Sequence, residues 1–379
     1  MSRRLTVMQL LPELEVGGVE QGTVEIAQAL TAAGHRAIVV SAGGRRVADL
    51  KACGAEHITL AIGAKRPRVI KTIAVLARLM RDNDVNVVHA RSRLPAWIGW
   101  LARRRLPTTI QPRWLTTVHG PYSVNRYSRI MVSGERVIAI SDFIRDYVTS
   151  NYAGVDPKRV TVIPRGVDPA RYTPDFVPDA EWSARWAADY PALAQKFVLA
   201  LPARLTRWKG QLEFVELIAR LRQRDLPVAG LIIGDTHARK PAFRTEIEQA
   251  IATAGVGNDL HLTGQRSDMR EILASVDCAC SLTLEPEAFG RTTIEALALG
   301  TPVVGYDHGG TGEILRAVQP QGLVAVQDID AAADRIPSLI EQPWPVPRQH
   351  PFTVQAMQQA TLSLYHDVLE QWLGSTQPV

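Results

Sequence analysis

The chain has 379 residues, 46% of them hydrophobic and 21% charged, with a formal net charge of +5. That length gives room for two domains with cores of their own, and the composition excludes a disordered, collagen-like or low-complexity chain. Charge is divided unevenly: residues 1–165 hold 25 Lys and Arg against 12 Asp and Glu, and residues 166–379 hold 18 against 26, which makes +13 and −8. Residues 5–11 form an apolar run of strand length, Gly17-Gly18 break it, and 19–33 read as a helix ended by Gly34. Strands at 37–41, 85–90, 116–119 and 136–140 then alternate with helices at 69–81, 96–105 and 142–151, and a strand at 160–163 closes the series. Five prolines between 164 and 191 mark the interdomain connection. A second alternation has strands at 197–203, 229–234, 260–263, 278–281 and 303–306, and helices at 211–224, 241–254, 269–275, 291–299 and 312–318. Four prolines exclude a helix over 343–351, and 353–373 reads as a last amphipathic helix. Strands alternating with helices specify βαβ units and parallel sheets covered on both faces, hence an α/β protein of two doubly wound Rossmann-like domains, 1–170 and 190–350.

Several chemistries are excluded early. Three cysteines, Cys53, Cys278 and Cys280, cannot make a disulfide framework, which points to a reducing cytoplasm. Cys278 and Cys280 lack further ligands at zinc-site spacing and read as buried strand residues. The start of the chain is too short for a signal sequence with a cleavage site, and no apolar run approaches a membrane span. Gly17-Gly18-Val-Glu-Gln-Gly22 does not have the GxGxxG spacing and no GxxxxGK[ST] occurs, so neither a nicotinamide fingerprint nor a P-loop is present. Asp82-Asn-Asp84 and Asp328-Ile-Asp330 could each offer a cation two carboxylates. The first reads better as a helix-to-strand turn, and Asp330 as the N-cap of a helix starting at Ala331.

In open parallel sheets, ligands collect at the carboxyl ends of strands, where helix N-termini present amide hydrogens. Arg204 and Lys209 follow the strand 197–203 and could share a diphosphate, the Arg by its planar fork and the Lys as a point charge. Glu287 and Glu295 bracket a strand-to-helix turn. A phosphate at that turn would meet the amides of Gly290, Arg291 and Thr292, while Glu295 could accept from sugar hydroxyls. His119 stands at a strand end, and Arg266 follows the strand 260–263, where it could approach a base. His308, before Gly309-Gly310, reads mainly as structural.

Seven pieces in one order, Gly17-Gly18-Val-Glu20, Thr117-Val-His119-Gly120, Ser141-Asp-Phe, Val162-Ile-Pro-Arg-Gly-Val-Asp168, Arg204 with Lys209-Gly210, the Glu287/Glu295 pair and Gly300-Thr-Pro-Val-Val, span residues 5 to about 318. With them the chain resembles the retaining nucleotide-sugar glycosyltransferases of the GT-B fold, glycosyltransferase family 4. Arg165 departs from the pattern, since much of the family has Asn before Gly-Val-Asp. The resemblance implies two domains facing a cleft, with the last helix (353–379) crossing back to the first. It implies a donor bound mainly to the second domain: Arg204 and Lys209 on the diphosphate, Glu295 on the ribose, and Glu287 with the amides of Phe289 to Thr292 on the transferred sugar and phosphate. Gly17 and Gly18 would close over the diphosphate, and His119 would reach the sugar near its anomeric centre. The implied activity is metal-independent, retaining transfer from a nucleoside-diphosphate sugar, UDP-sugar before GDP-sugar, with the leaving diphosphate taking the acceptor's proton and no cofactor. A glycan or glycolipid acceptor, as in lipopolysaccharide or cell-surface polysaccharide synthesis, suits it. A nucleotide-sugar 2-epimerase of the same fold and a catalytically silent sugar-nucleotide-binding protein are the rival readings. The basic first half, with Lys65-Arg-Pro-Arg68, Lys71, Arg78, Arg81 and Arg103-Arg-Arg105 behind Trp97 and Trp100, suits peripheral contact with an anionic leaflet on the inner face of the cytoplasmic membrane, or solvent alone. Nucleic acid lacks a recognition motif here.

Overall fold

Short runs of Val, Ile and Leu become strands where helices can cover both faces of a sheet, and the chain does this twice. The computed structural model describes residues 4–15, 17–63, 69–236 and 242–375. The chain divides into Met1–Arg165 with Val354–Val379, and Gly166–Thr353. In the first unit the strands are β1 (Thr6–Leu10), β2 (Arg36–Ser41), β3 (Glu56–Thr59), β4 (Val87–Ala90), β5 (Arg113–Val118), β6 (Arg136–Ala139) and β7 (Val160–Val162). They form one parallel sheet in the order β3-β2-β1-β4-β5-β6-β7. Its helices are α1 (Gly18–Ala32), α2 (Val47–Ala52), α3 (Val69–Asp82), α4 (Arg93–Arg103) and α5 (Asp142–Asn151). Ser141 starts α5 by accepting the Ile144 amide at 3.2 Å, the usual N-cap bond.

The second unit holds α6 (Ala180–Asp189), β8 (Phe197–Pro202), α7 (Gln211–Gln223), β9 (Val228–Ile233), α8 (Ala242–Thr253), β10 (Leu260–Gly264), α9 (Met269–Ser275), β11 (Cys278–Ser281), α10 (Arg291–Ala298), β12 (Val303–Tyr306), α11 (Gly309–Val318), β13 (Leu323–Val324) and α12 (Ile329–Glu341). Its parallel sheet runs β10-β9-β8-β11-β12-β13. Both sheets therefore reverse their strand order once, between β1 and β4 and between β8 and β11. At such a switch point the loops on the carboxyl side part and leave a crevice.

The last helix, α13 (Val354–Ser375), belongs to the first unit. Met357, Leu364, Tyr365, Val368 and Leu369 enter the core formed by Leu5, Val24, Ile26, Leu30 and Val39. Each such side chain contributes roughly 1.5 to 3 kcal/mol by leaving water.

The structure corrects some expectations. Helix α6 lies inside the proline-marked connection, started by Asp179, which accepts the Trp182 amide at 2.7 Å. The prolines fall outside it, so they bound the helix and do not break it. The N-cap of α12 is Asp328, which accepts from the Ala331 amide at 2.9 Å. Asp330, expected in that place, is two residues on, in the first turn of α12, and pairs with Arg220. Cys278 and Cys280 are both buried in β11 as free thiols. Pro241 and the cluster Lys65 to Arg68 lie outside the described residues.

Candidate active site

The second unit brings most of the expected residues to one place, the crevice between β8 and β11. Gly210, the N-cap of α7, has φ of 82°, and a Cβ there would fall 2.0 Å from the Leu282 carbonyl oxygen. Only glycine permits that backbone approach. The Leu284 amide completes it by donating to the Trp208 carbonyl at 2.7 Å. The loops after β8 and β11 are thereby locked together, and Lys209 reaches Glu287 to form an ion pair, both side chains about four-fifths buried. The Glu287 carbonyl in turn accepts from the Gly310 amide at 2.8 Å, which fixes the loop ahead of α10. Gly290, in the left-handed conformation, caps α10, and the first amides of that helix point toward the turn.

Two site residues are engaged differently from the expectation. Arg291 donates to Glu295 at 3.0 Å. Burial pushes the Glu295 carboxyl up from the ordinary carboxylate range, and Arg291, Arg171 and the Tyr172 hydroxyl pull it back. Glu295 therefore already has donors of its own, and a sugar hydroxyl must share it with them. Phe289 is buried and packs edge to face on Phe352, centroids 5.9 Å apart; its side chain is structural and only its main chain is available.

Beside this pair a cavity of about 530 Å³ opens at the carboxyl ends of β8, β9 and β10, with Ile233 and Met269 as apolar wall and Arg204, Asp235, Arg266 and Thr292 as polar rim. Arg204 is exposed. Arg266 is on the rim, but its guanidinium forks onto Asp268 at 2.6 and 2.9 Å and holds that carboxyl below its usual range. His308 Nε2 donates to the Thr283 carbonyl oxygen at 2.6 Å and steadies the loop after β11. Among the described residues no three His, Cys, Asp or Glu side chains gather to hold a cation.

In the first unit, His119 follows β5 directly, with Nδ1 2.8 Å from Arg165 Nη2. Burial, then Arg165, Arg91 and His89, push its imidazole well below the ordinary histidine range. Gly17 caps α1 with extended backbone, and a Cβ on Gly18 would meet nothing within 4 Å. The fold itself requires neither glycine.

Sequence reasoning missed Arg171 and Tyr172, which face Glu295 from an aperiodic stretch that carried no signal. It also missed Arg91, 1% exposed, whose Nε donates to Gln9 at 2.8 Å, and His89, held by Tyr365 at 2.7 Å and Thr117 at 2.6 Å. A strand reading ending in His-Ala-Arg could have flagged both, since that end faces the ligand side.

Two family models match the chain, Glycosyltransferase Family 4 over residues 16–171 and Glycosyl transferases group 1 over residues 184–358. A D-inositol 3-phosphate glycosyltransferase of Actinosynnema mirum is 29% identical over 245 residues, covering 59% of this chain and 57% of that protein. The chain thus spans little more than half of that relative's length. Among solved structures, a glycosyltransferase from Rickettsia africae aligns with a TM-score of 0.84 at 28% identity, over 97% of this chain and 99% of that one. HepE of Anabaena, in complex with UDP, aligns with a TM-score of 0.74 at 21% identity, over 99% of each chain, a likeness of fold alone.

Proposed function

Because the chain belongs to the group 1 glycosyltransferases of glycosyltransferase family 4, we propose that it moves a sugar from a nucleoside-diphosphate sugar to a glycan or glycolipid acceptor with retention at the anomeric carbon. The observation that carries this reading is the convergence of Lys209, Glu287 and the N-terminus of α10 at the β8/β11 switch point, beside a cavity of about 530 Å³. In it the base and ribose occupy the cavity, and the diphosphate lies across Arg204, Lys209 and the first amides of α10. As the glycosidic bond breaks, negative charge grows on the diphosphate, where preorganised cations and amides stabilise it. The leaving phosphate oxygen then takes the acceptor's proton. Charge stabilisation by side chains and amides leaves no task for a divalent metal. A UDP-sugar is the favoured donor, on the strength of the fold shared with a UDP complex. We place the reaction in the cytoplasm, with the acceptor presented at an anionic membrane face, as lipopolysaccharide or surface-polysaccharide synthesis would require.

Thermal-shift measurement against UDP, GDP, ADP and their sugars tests it. A ligand at 100 times its Kd adds about 2.7 kcal/mol of stability, so one base should stand out, UDP first. No shift with any of them would end the transferase reading. With the donor in hand, turnover should survive EDTA; complete loss restored by manganese would return the Asp82 or Asp328 triplet to consideration.

A further inference from the structure

One nitrogen of His119 is already committed. Arg165 Nη2 stands 2.8 Å from His119 Nδ1, and a guanidinium has donors only and stays charged at any pH a protein survives. At that distance Nδ1 accepts. A neutral imidazole whose Nδ1 accepts carries its proton on Nε2. His119 Nε2 is buried and has no partner among the described residues, so its hydrogen is the group left to meet something else.

Arg165 is built into this position. It is 8% exposed, its Nη1 lies 3.4 Å from Met357 Sδ on α13, and a Cβ at residue 22 of α1 would fall 2.6 Å from that nitrogen. Glycine at 22 is what lets the guanidinium lie against the helix. The charge around His119 has one sign: Arg165, Arg91 and His89 all oppose a proton on the ring, after burial itself. Among the described residues Tyr122 is a further titratable neighbour; its phenol faces the His119 main chain, and burial pushes it above the ordinary tyrosine range, so it stays neutral. His89 is held between Tyr365 and Thr117, and burial pushes it well below its ordinary range too.

We propose that Arg165 is a positioning residue that fixes His119 as a neutral Nε2–H donor, so that His119 recognises an acceptor oxygen, a hydroxyl or phosphoryl oxygen of the substrate, and abstracts no proton. Asn, which much of the family carries here, can turn its amide to donate or accept and would leave the tautomer open. That the oxygen belongs to a sugar substrate rests on the transferase reading; the tautomer does not.

The test is a long-range proton–nitrogen correlation spectrum of the whole protein labelled with ¹⁵N-histidine, the His119 signals being identified by their loss in His119→Gln. Nδ1 should resonate as a proton-free acceptor and Nε2 as a proton-bearing nitrogen, unchanged between about pH 8 and 6. Arg165→Lys, which keeps a donor-only group, should retain the pattern. Arg165→Met, checked for folding by circular dichroism, should lose it and let the ring titrate nearer the ordinary histidine value of about 6.5. A proton on Nδ1, a charged ring at pH 7 in the wild type, or an unchanged spectrum in Arg165→Met overturns the proposal. Should the Met variant not fold, the wild-type and Lys spectra decide by the same signals. Once a donor is found, Arg165→Met should lower kcat about tenfold with KM little changed and add a pH inflection absent from the wild type. Failure to find any donor would sink the transferase reading and leave the spectrum to judge the tautomer.

Discussion

Lys209 and Arg204 stand at the same strand end but in different surroundings, and their removal should not cost the same. Lys209 is largely buried against Glu287, whereas Arg204 is exposed on the cavity rim. A charge-assisted contact is worth roughly 1.5 to 3 kcal/mol, so either change to Ala should lower kcat/KM by about 10 to 100-fold. Lys209→Ala belongs at the upper end because it also leaves the Glu287 carboxylate facing a phosphate without its partner, a like-charge contact at low water content. Adding Glu287→Gln to Lys209→Ala should therefore recover part of the loss. Wild-type kcat/KM in either single variant would place the diphosphate elsewhere, and no recovery in the double variant would remove Glu287 from its neighbourhood.

Helices α3 and α4 carry the anionic-surface expectation, and the structure sharpens it. Between Asp84 and Glu135 fifty residues hold eight arginines and no Asp or Glu. Arg103 is spent on Glu135 at 3.0 Å, which corrects its place in the basic cluster. Arg104 lies over the Trp100 ring, 4.6 Å from its centroid, and Arg105 and Arg126 are exposed. Arg126 lies at a cavity of about 520 Å³ walled by Trp97, Trp100, Tyr127 and Ile130, which adds apolar surface beside it, and Ile70 on α3 is 70% exposed. Liposomes rich in anionic lipid should co-sediment the protein at low salt and release it as the Debye length falls from about 10 Å at 0.1 M to about 3 Å at 1 M. Arg104, Arg105 and Arg126 changed together to Ser should weaken that binding and leave turnover of a soluble acceptor intact; equal binding to neutral liposomes, or none to either, would make the face ordinary solvated surface. Elements of this size were legible in the sequence where burial marks the chain, as a continuous apolar run in β9 or as the i, i+4 pair Ile144 and Val148 in α5. β3 was not, since as an edge strand its residues stay half exposed. Neither was α2, in which Leu50 alone is buried. At the site, Lys209, Glu287 and Glu295 were legible as residue types after strand ends, but their pairings with one another, with Arg291 and with Tyr172 depend on rotamers and close backbone approach, which no spacing records.

Across the whole chain, charge and buried histidine fall on the same unit. Residues 1–165 with 354–379 carry +11 and residues 166–353 carry −6. Burial is the first cause that lowers His35, His57, His89 and His119 in the first unit, against His261 and His350 in the second. The sign follows from linkage. A histidine kept neutral in the fold binds its proton only in the unfolded chain, near pH 6.5, so it contributes nothing to stability change above that value and destabilises the fold progressively below it. A histidine that stays neutral in the fold, the direction in which burial pushes His89, costs up to about 1.4 kcal/mol for each pH unit below about 6.5. Acidification also adds to the positive self-repulsion of the first unit while it reduces the net negative charge of the second. The first unit should therefore lose stability faster: in calorimetric scans from pH 8 to 5.5 its transition should move to lower temperature further than that of the second unit, with hydrogen exchange assigning each transition. His89→Gln should lower the first transition at pH 8, by leaving Tyr365 and Thr117 without their partner, and should flatten its dependence on pH. Equal displacement of both transitions, or a first transition unmoved between pH 8 and 5.5, would show that these histidines take up their protons in the folded chain.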